Sequence, residues 1–145
     1  MTVNSILEAL RTYFKNNASA AGLTSGKALQ VDFLGPDKVG YSIVTMPGAT
    51  VEYYLNGGSS RTFPFALEAT LSTADDTNRI ENGGFFEKLA DWLDSQSEID
   101  SLPILPTGKT AEKIQALDCG YLYDQGPSGT GTYQIICRLE YSQEP

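Results

Sequence analysis

The run Pro106–Thr110, "PTGKT", ends in Gly-Lys-Thr, the residues with which a phosphate-binding loop closes. Such a loop needs a further glycine five positions before the Gly-Lys pair, so that successive backbone N–H groups can cradle the phosphates. That position is Pro103, which has no N–H and a fixed φ. Ile104, Leu105, Pro106 and Thr107 supply no glycine-rich turn either, and the preceding "SQSEIDSLPILP" does not read as a buried strand. The chemistry of this stretch is therefore conformational: Gly108 turns the chain, and Lys109 and Thr110 open a strand.

The remaining reactive residues are few. The chain has no histidine, which removes the usual general base, the usual metal ligand and any Cys–His dyad. Cys119 and Cys137 alone make a poor zinc site, since structural zinc takes four ligands. In a symmetric hairpin centred near Ser128 the two thiols lie opposite one another, and a cytosolic setting favours their staying reduced and buried. Asp75 and Asp76 read as favourable charges near a helix N-terminus rather than as paired acids. Lys88, Lys109 and Lys113 have no neighbouring pattern that would depress a pKa. No set of nucleophile, base and oxyanion donors can be assembled, so the expectation is a protein that is not an enzyme and takes no cofactor or metal.

What positions these residues is a chain of 145 residues with 10 basic and 18 acidic side chains, a net charge of −8. One domain is expected, large enough to bury roughly two-thirds of its unfolded surface. The acidic balance argues against a protein that tracks nucleic-acid phosphates. No apolar run approaches the roughly twenty residues of a membrane span. The opening "MTVNSILEAL" lacks the basic start and cleavage site of a secretory signal, so a cytosolic product is expected.

A first helix is signalled by Ser5 and Glu8 as a capping box, or by Asn4 as a direct cap. Ile6, Leu7, Leu10, Tyr13 and Phe14 form its apolar face, and Gly22 is its expected stop. Alternation in "ALQVDFLG" and "VGYSIVTMP" predicts two strands, and "TVEYYLNGGSSRTFPFALEATLS" predicts a hairpin turning at Asn-Gly-Gly. Pro64 inside its second strand implies an edge or a bulge. A second helix is predicted from about Thr77 to Ser97, with Phe86, Leu89, Ala90 and Leu93 inward and Phe85 and Trp92 widening that face. Gly83 and Gly84 weaken its start, so "RIEN" is expected to form a separate turn. After an extended "SLPILPTG" connector comes a final hairpin. Leu117, Cys119, Tyr121 and Tyr123 share one side of its first strand, and Tyr133, Ile135, Cys137, Leu139 and Tyr141 face inward from its second. The order predicts an α+β fold, a mainly antiparallel sheet with two helices packed on one face, as a single domain over 1–145.

Function then falls to surfaces. Glu87, Asp91, Asp94 and Glu98 line up as a carboxylate stripe on the second helix, either a solvated face or a surface for a basic partner. The small-residue loop "QGPSGTGT" is expected to be exposed and mobile, and Gln125, Gly126, Ser128, Gly129, Thr130 and Gly131 are candidate contacts with a copy or a partner. The segments "VGYSIVTMPGATVEYYLNGGSSRTFPFALEA", "IENGGFFEKLADWLDSQS", "LPILPTGKTAEKIQALDCGYLYD" and "TYQIICRLEY" resemble the small minor capsid and tail-terminator proteins of tailed bacteriophages and prophages. The similarity spans roughly Val31 to Tyr141, and none of its parts is a catalytic motif. It implies a structural virion protein of the head–tail junction, assembled in the host cytoplasm. Its subunits would form a ring, a hexamer by analogy, that meets the tail tube protein and the head–tail connector proteins. The alternative is a non-enzymatic cytosolic module that binds a small ligand or peptide.

Overall fold

The computed structural model describes residues 5–17, 29–31, 40–72, 76–118, 120–125 and 129–145. Within them two helices, α1 (Ile6–Asn16) and α2 (Asp76–Glu98), accompany seven strands. These are β1 (Leu29–Val31), β2 (Gly40–Thr45), β3 (Val51–Tyr53), β4 (Ser59–Ser72), β5 (Lys109–Ala116), β6 (Tyr121–Gln125) and β7 (Thr130–Gln143). The fold is α+β, as the element order predicts. All pairings are antiparallel except that of β1 with β2.

The spine of the sheet is the pair β4–β7, in unbroken register from Ser59↔Gln143 to Ser72↔Thr130. β2 and then β3 run along the free side of β4, and β5 and then β6 run along the free side of β7. Each flank of the spine is thus a single path broken once. On the β4 side, residues 46–50 span the stretch opposite 62–64. Pro64 sits at that break. Its carbonyl accepts from the Met46 N–H at 3.2 Å, so the side on which its own N–H is missing is the side where β2 has ended. Of the edge or bulge that a proline in a strand implies, this is a local free edge. The pairing resumes where the Thr62 N–H donates to the Thr50 carbonyl at 3.0 Å.

On the β7 side, residues 117–120 span the stretch opposite 135 and 136. Asp118 holds that break: its Oδ1 accepts from the Gly120 N–H at 3.0 Å and from the Ile136 N–H at 3.3 Å. The consequence overturns one expectation. Gln125↔Gly131 and Asp124↔Thr132 keep the register of a hairpin centred on 128, but a shift between Leu122 and Asp124 and the Asp118 break displace everything beyond. Cys137 consequently faces Ala116, not Cys119, and is a buried free thiol. Cys119 lies outside the described residues. The same displacement puts Tyr121 opposite Gln134, on the face away from the helices, and Leu117, Tyr121 and Tyr123 are exposed.

The helix-covered face holds the core. Tyr133, Ile135, Cys137, Leu139 and Tyr141 of β7 alternate inward as predicted, beside Phe65, Leu67 and Ala69 of β4, Tyr41 and Ile43 of β2, and Ile114 of β5. α1 contributes Ile6, Ala9, Leu10, Tyr13 and Phe14, while α2 contributes Phe86, Leu89 and Leu93. The helices meet where Trp92 lies 5.6 Å from the Tyr13 ring and 6.1 Å from Phe14. Phe14 in turn reaches Phe65 at 6.1 Å, and Phe86 stacks on Tyr133 at 5.7 Å. Each large side chain so enclosed contributes roughly 1.5–3 kcal/mol of transfer free energy.

Local signals set the helix ends. Ser5 caps α1 as predicted, its hydroxyl accepting from the Glu8 N–H at 3.1 Å. α1 ends with Asn17, whose side chain donates to the Tyr13 carbonyl at 2.8 Å; Gly22, the expected stop, lies outside the described residues. α2 runs unbroken through Gly83 and Gly84, so "RIEN" is part of the helix and not a separate turn. Two glycines cost the helix propensity, but packing of Phe86 and the residues after it outweighs that loss. At its far end Asp100 takes φ 56, and the Ser101 N–H reaches back to the Gln96 carbonyl at 2.9 Å, a Schellman closure with aspartate in the left-handed position.

Candidate functional site

Gly108, Lys109 and Thr110 are a strand opening. Gly108 has φ 88, the Lys109 N–H donates to the Pro106 carbonyl at 3.1 Å, and Lys109 and Thr110 pair with Gln143 and Ser142. The Gly108 carbonyl accepts from the Glu144 N–H at 2.8 Å, so this turn is tied to the end of β7.

The four stripe residues of α2, Glu87, Asp91, Asp94 and Glu98, are all exposed. Glu87 and Asp91 border a shallow hollow with Ala90 and Asp118, and Asp94 and Glu98 border another with Ser97, Glu112 and Lys113. Between them Ser97 stitches helix to sheet: its hydroxyl donates to the Ile114 carbonyl at 2.6 Å and accepts from the Ile114 N–H at 3.0 Å. That pair of bonds occupies backbone groups of β5 that a neighbouring strand would otherwise take. The candidate loop is shorter than its composition suggests. Gln125 belongs to β6, Thr130 and Gly131 belong to β7, and Gly129 turns with φ 73. Gly126 and Ser128 lie outside the described residues. The stripe and the loop are separate features.

Among the described residues, burial shifts three titrating groups. Burial, reinforced by the charge of Asp118, pushes the Cys137 thiol far up, so the thiolate is suppressed. Burial also pushes Glu68 upward, and it pushes the Tyr13 hydroxyl to about 12. That hydroxyl donates to the Ser101 carbonyl at 2.8 Å. Beside it, Ala9, Thr12, Tyr13, Asn16 and Asn17 of α1 face Ser101, Leu102 and Ile104 of the connector across a cavity of about 310 Å³ with mainly apolar walls.

The surface feature that spacing alone did not single out is the β3–β4 hairpin. Val51, Tyr53, Tyr54 and Leu55 are all exposed, Tyr53 at 71 % and Leu55 entirely. The tip is nonetheless built. The Tyr54 N–H donates to the Gly58 carbonyl at 2.8 Å, the Gly57 N–H donates to the Tyr54 carbonyl at 3.1 Å, and the Gly58 N–H donates to Asn56 Oδ1 at 2.9 Å. Gly57 takes φ 91, where a side chain would be strained. Arg61 lies 5.7 Å from the Tyr53 ring centre and its Nε donates to Ser59 Oγ at 2.9 Å. At the opposite edge, β6 exposes Leu122 and Tyr123, next to an exposed Leu117. The sequence signal was present in "VEYYL" directly before Asn-Gly-Gly: apolar residues at the very end of a hairpin have no sheet above them to enter.

The chain matches no protein-family model and no curated protein. No helix among the described residues is long and apolar enough to cross a membrane.

Proposed function

We propose that this chain is a structural subunit that assembles with copies of itself, in the manner of the tail terminators of tailed phages, into a ring at a head–tail junction. The observation that carries this reading is the pair of unlike apolar edges. One copy offers the Val51–Leu55 hairpin at one side of the sheet and Leu117, Leu122 and Tyr123 at the other. Unlike patches on one molecule make heterologous contacts, which close into rings when the rotation permits. Most of the exposed large apolar side chains among the described residues lie at these two places, with Ile80, Ile99 and Ile104 outside them, and such gathering marks interaction surfaces. The resemblance of Val31 to Tyr141 to minor capsid and tail-terminator proteins supplies the location, with the tail tube and connector proteins as partners.

The α1–connector cavity favours a second reading, a binding module for a small apolar ligand, since its size lies at the lower end of ligand pockets. Imaging particles that carry tagged protein separates the two. A single labelled collar between head and tail is the expected result. Label absent from particles, with the purified protein monomeric by light scattering, overturns the assembly reading.

A further inference from the structure

The tripeptide Asn-Gly-Gly occurs twice in the chain, at Asn56–Gly58 and at Asn82–Gly84. An asparagine followed by glycine carries a latent reaction. The next residue's amide nitrogen can attack the side-chain carbonyl carbon, and glycine has no Cβ to obstruct the approach. Closing that five-membered ring requires the asparagine backbone to rotate, so local structure sets the rate. The two tripeptides share their reacting residues and differ in what holds them.

Asn82 lies inside α2, where the following N–H is bonded to the carbonyl four residues back and rotation breaks a cooperative ladder. Asn56 is exposed at the tip of the β3–β4 hairpin. There the Gly57 N–H is held by a bond to the Tyr54 carbonyl at 3.1 Å, and Tyr53, Tyr54 and Leu55 around it are all exposed. Opening the tip therefore breaks a few solvent-exposed bonds and uncovers no core, which places it at the low end of local opening free energies. The Gly58 N–H, which donates to Asn56 Oδ1 at 2.9 Å, polarises the carbonyl to be attacked.

We infer that Asn56 is a deamidation site that reacts in the folded protein, while Asn82 is protected by its helix. The Gly57 nitrogen, its proton passed to hydroxide, bonds to Asn56 Cγ. The Cγ–Nδ2 bond breaks, and ammonia leaves with a proton taken from water. Water then opens the succinimide. Opening at Cγ gives aspartate in an unaltered backbone, and opening at the main-chain carbonyl gives isoaspartate, with the chain rerouted through Cβ and Cγ. The net change consumes one water and releases one ammonia, with no oxidation or reduction. Either product puts a new negative charge beside Leu55. Isoaspartate also adds a methylene to the backbone between Tyr54 and Gly58, so the 2.8 Å bond from the Tyr54 N–H to the Gly58 carbonyl loses its register and the tip loosens. This reaction is independent of self-assembly.

The test incubates the full-length protein at mildly alkaline pH, either folded in buffer or unfolded in guanidinium chloride. Tryptic peptides are then mapped by mass spectrometry, with isoaspartyl methyltransferase labelling to detect isoaspartate. Arg61 and Arg79 lie between the two sites, so each falls in its own peptide. In the folded protein Asn56 should convert at least about tenfold faster than Asn82. In the unfolded chain the two should convert at similar rates. Asn56→Gln should remove the fast product and leave the melting temperature near that of the parent. A smaller ratio in the folded protein overturns the inference. So does a contrast that persists on unfolding, since it then belongs to the neighbouring sequence and not to the hairpin and the helix.

Discussion

Phe65 and Tyr53 stand on β4 and its neighbour β3, yet Phe65 is fully enclosed while Tyr53 is 71 % exposed. The difference is what lies above the sheet. Over β4 at Phe65, α1 and α2 close the face with Phe14 and Trp92. Among the described residues no helix packs on β3, and its three residues are all exposed. Alternation along a strand tells which residues share a face, whereas burial of that face is decided by elements distant in sequence. Aromatic residues therefore divide here into those that hold the fold and those left available for contact.

The largest expected effect lies on the enclosed side. Phe65→Ala should destabilise by about 3–5 kcal/mol in chemical denaturation, through lost transfer energy and the cavity left beneath Phe14. Ser97→Ala comes next: it strands the Ile114 N–H and carbonyl, which should cost about 1–3 kcal/mol and speed amide exchange at Ile114. Tyr13 gives a pH test. Its folded value is raised to about 12, so its contribution is complete below the ordinary value of 10.0 and is lost as pH climbs from there towards about 12. Tyr13→Phe should flatten that part of the stability–pH curve measured against the parent. Gly84→Ala should go the other way, stabilising α2 by about 0.5–1 kcal/mol, because a Cβ there meets nothing within 4 Å. Smallest of all, Tyr53→Ser should change stability by less than about 0.5 kcal/mol. A larger loss would show that the hairpin belongs to the core after all.

Legibility in the sequence followed the same division. The Ser5 cap, the inward set of β7, the Asn-Gly-Gly hairpin and the Phe86–Leu93 face are local patterns, and each appears where spacing puts it. Opposition of Cys119 and Cys137 failed because register accumulates over a strand, and one bulge plus the Asp118 break shift it by three residues. Nothing in the residue types announces either. Pro64 did announce its break, since a missing N–H must be matched by a missing acceptor. Gln134 reads as outward and does point away from the helices, yet it is buried and bonded by the Tyr121 hydroxyl. Of the candidate contacts, the carboxylate stripe is exposed as its spacing implies, while the hairpin tip escaped notice because tyrosine and leucine in a strand read first as core.

The β4–β7 spine carries a consequence for how the protein is made. Its paired residues lie far apart along the chain, as in Leu67 with Ile135, so its formation must close a long loop that contains α2, β5 and β6. Such non-local pairing is slow. During translation, β4 leaves the ribosome with neither α2 to cover it nor β7 beside it, and the spine cannot finish before residue 143 has emerged. For that interval Phe65, Leu67 and Ala69 have no partner surface to enter, the kind of exposure that makes a folding chain prone to aggregate. Pro64 and Glu68, both in the middle of this waiting strand, guard it: one lacks a backbone donor and the other carries a charge, and each discourages premature pairing with a neighbouring chain.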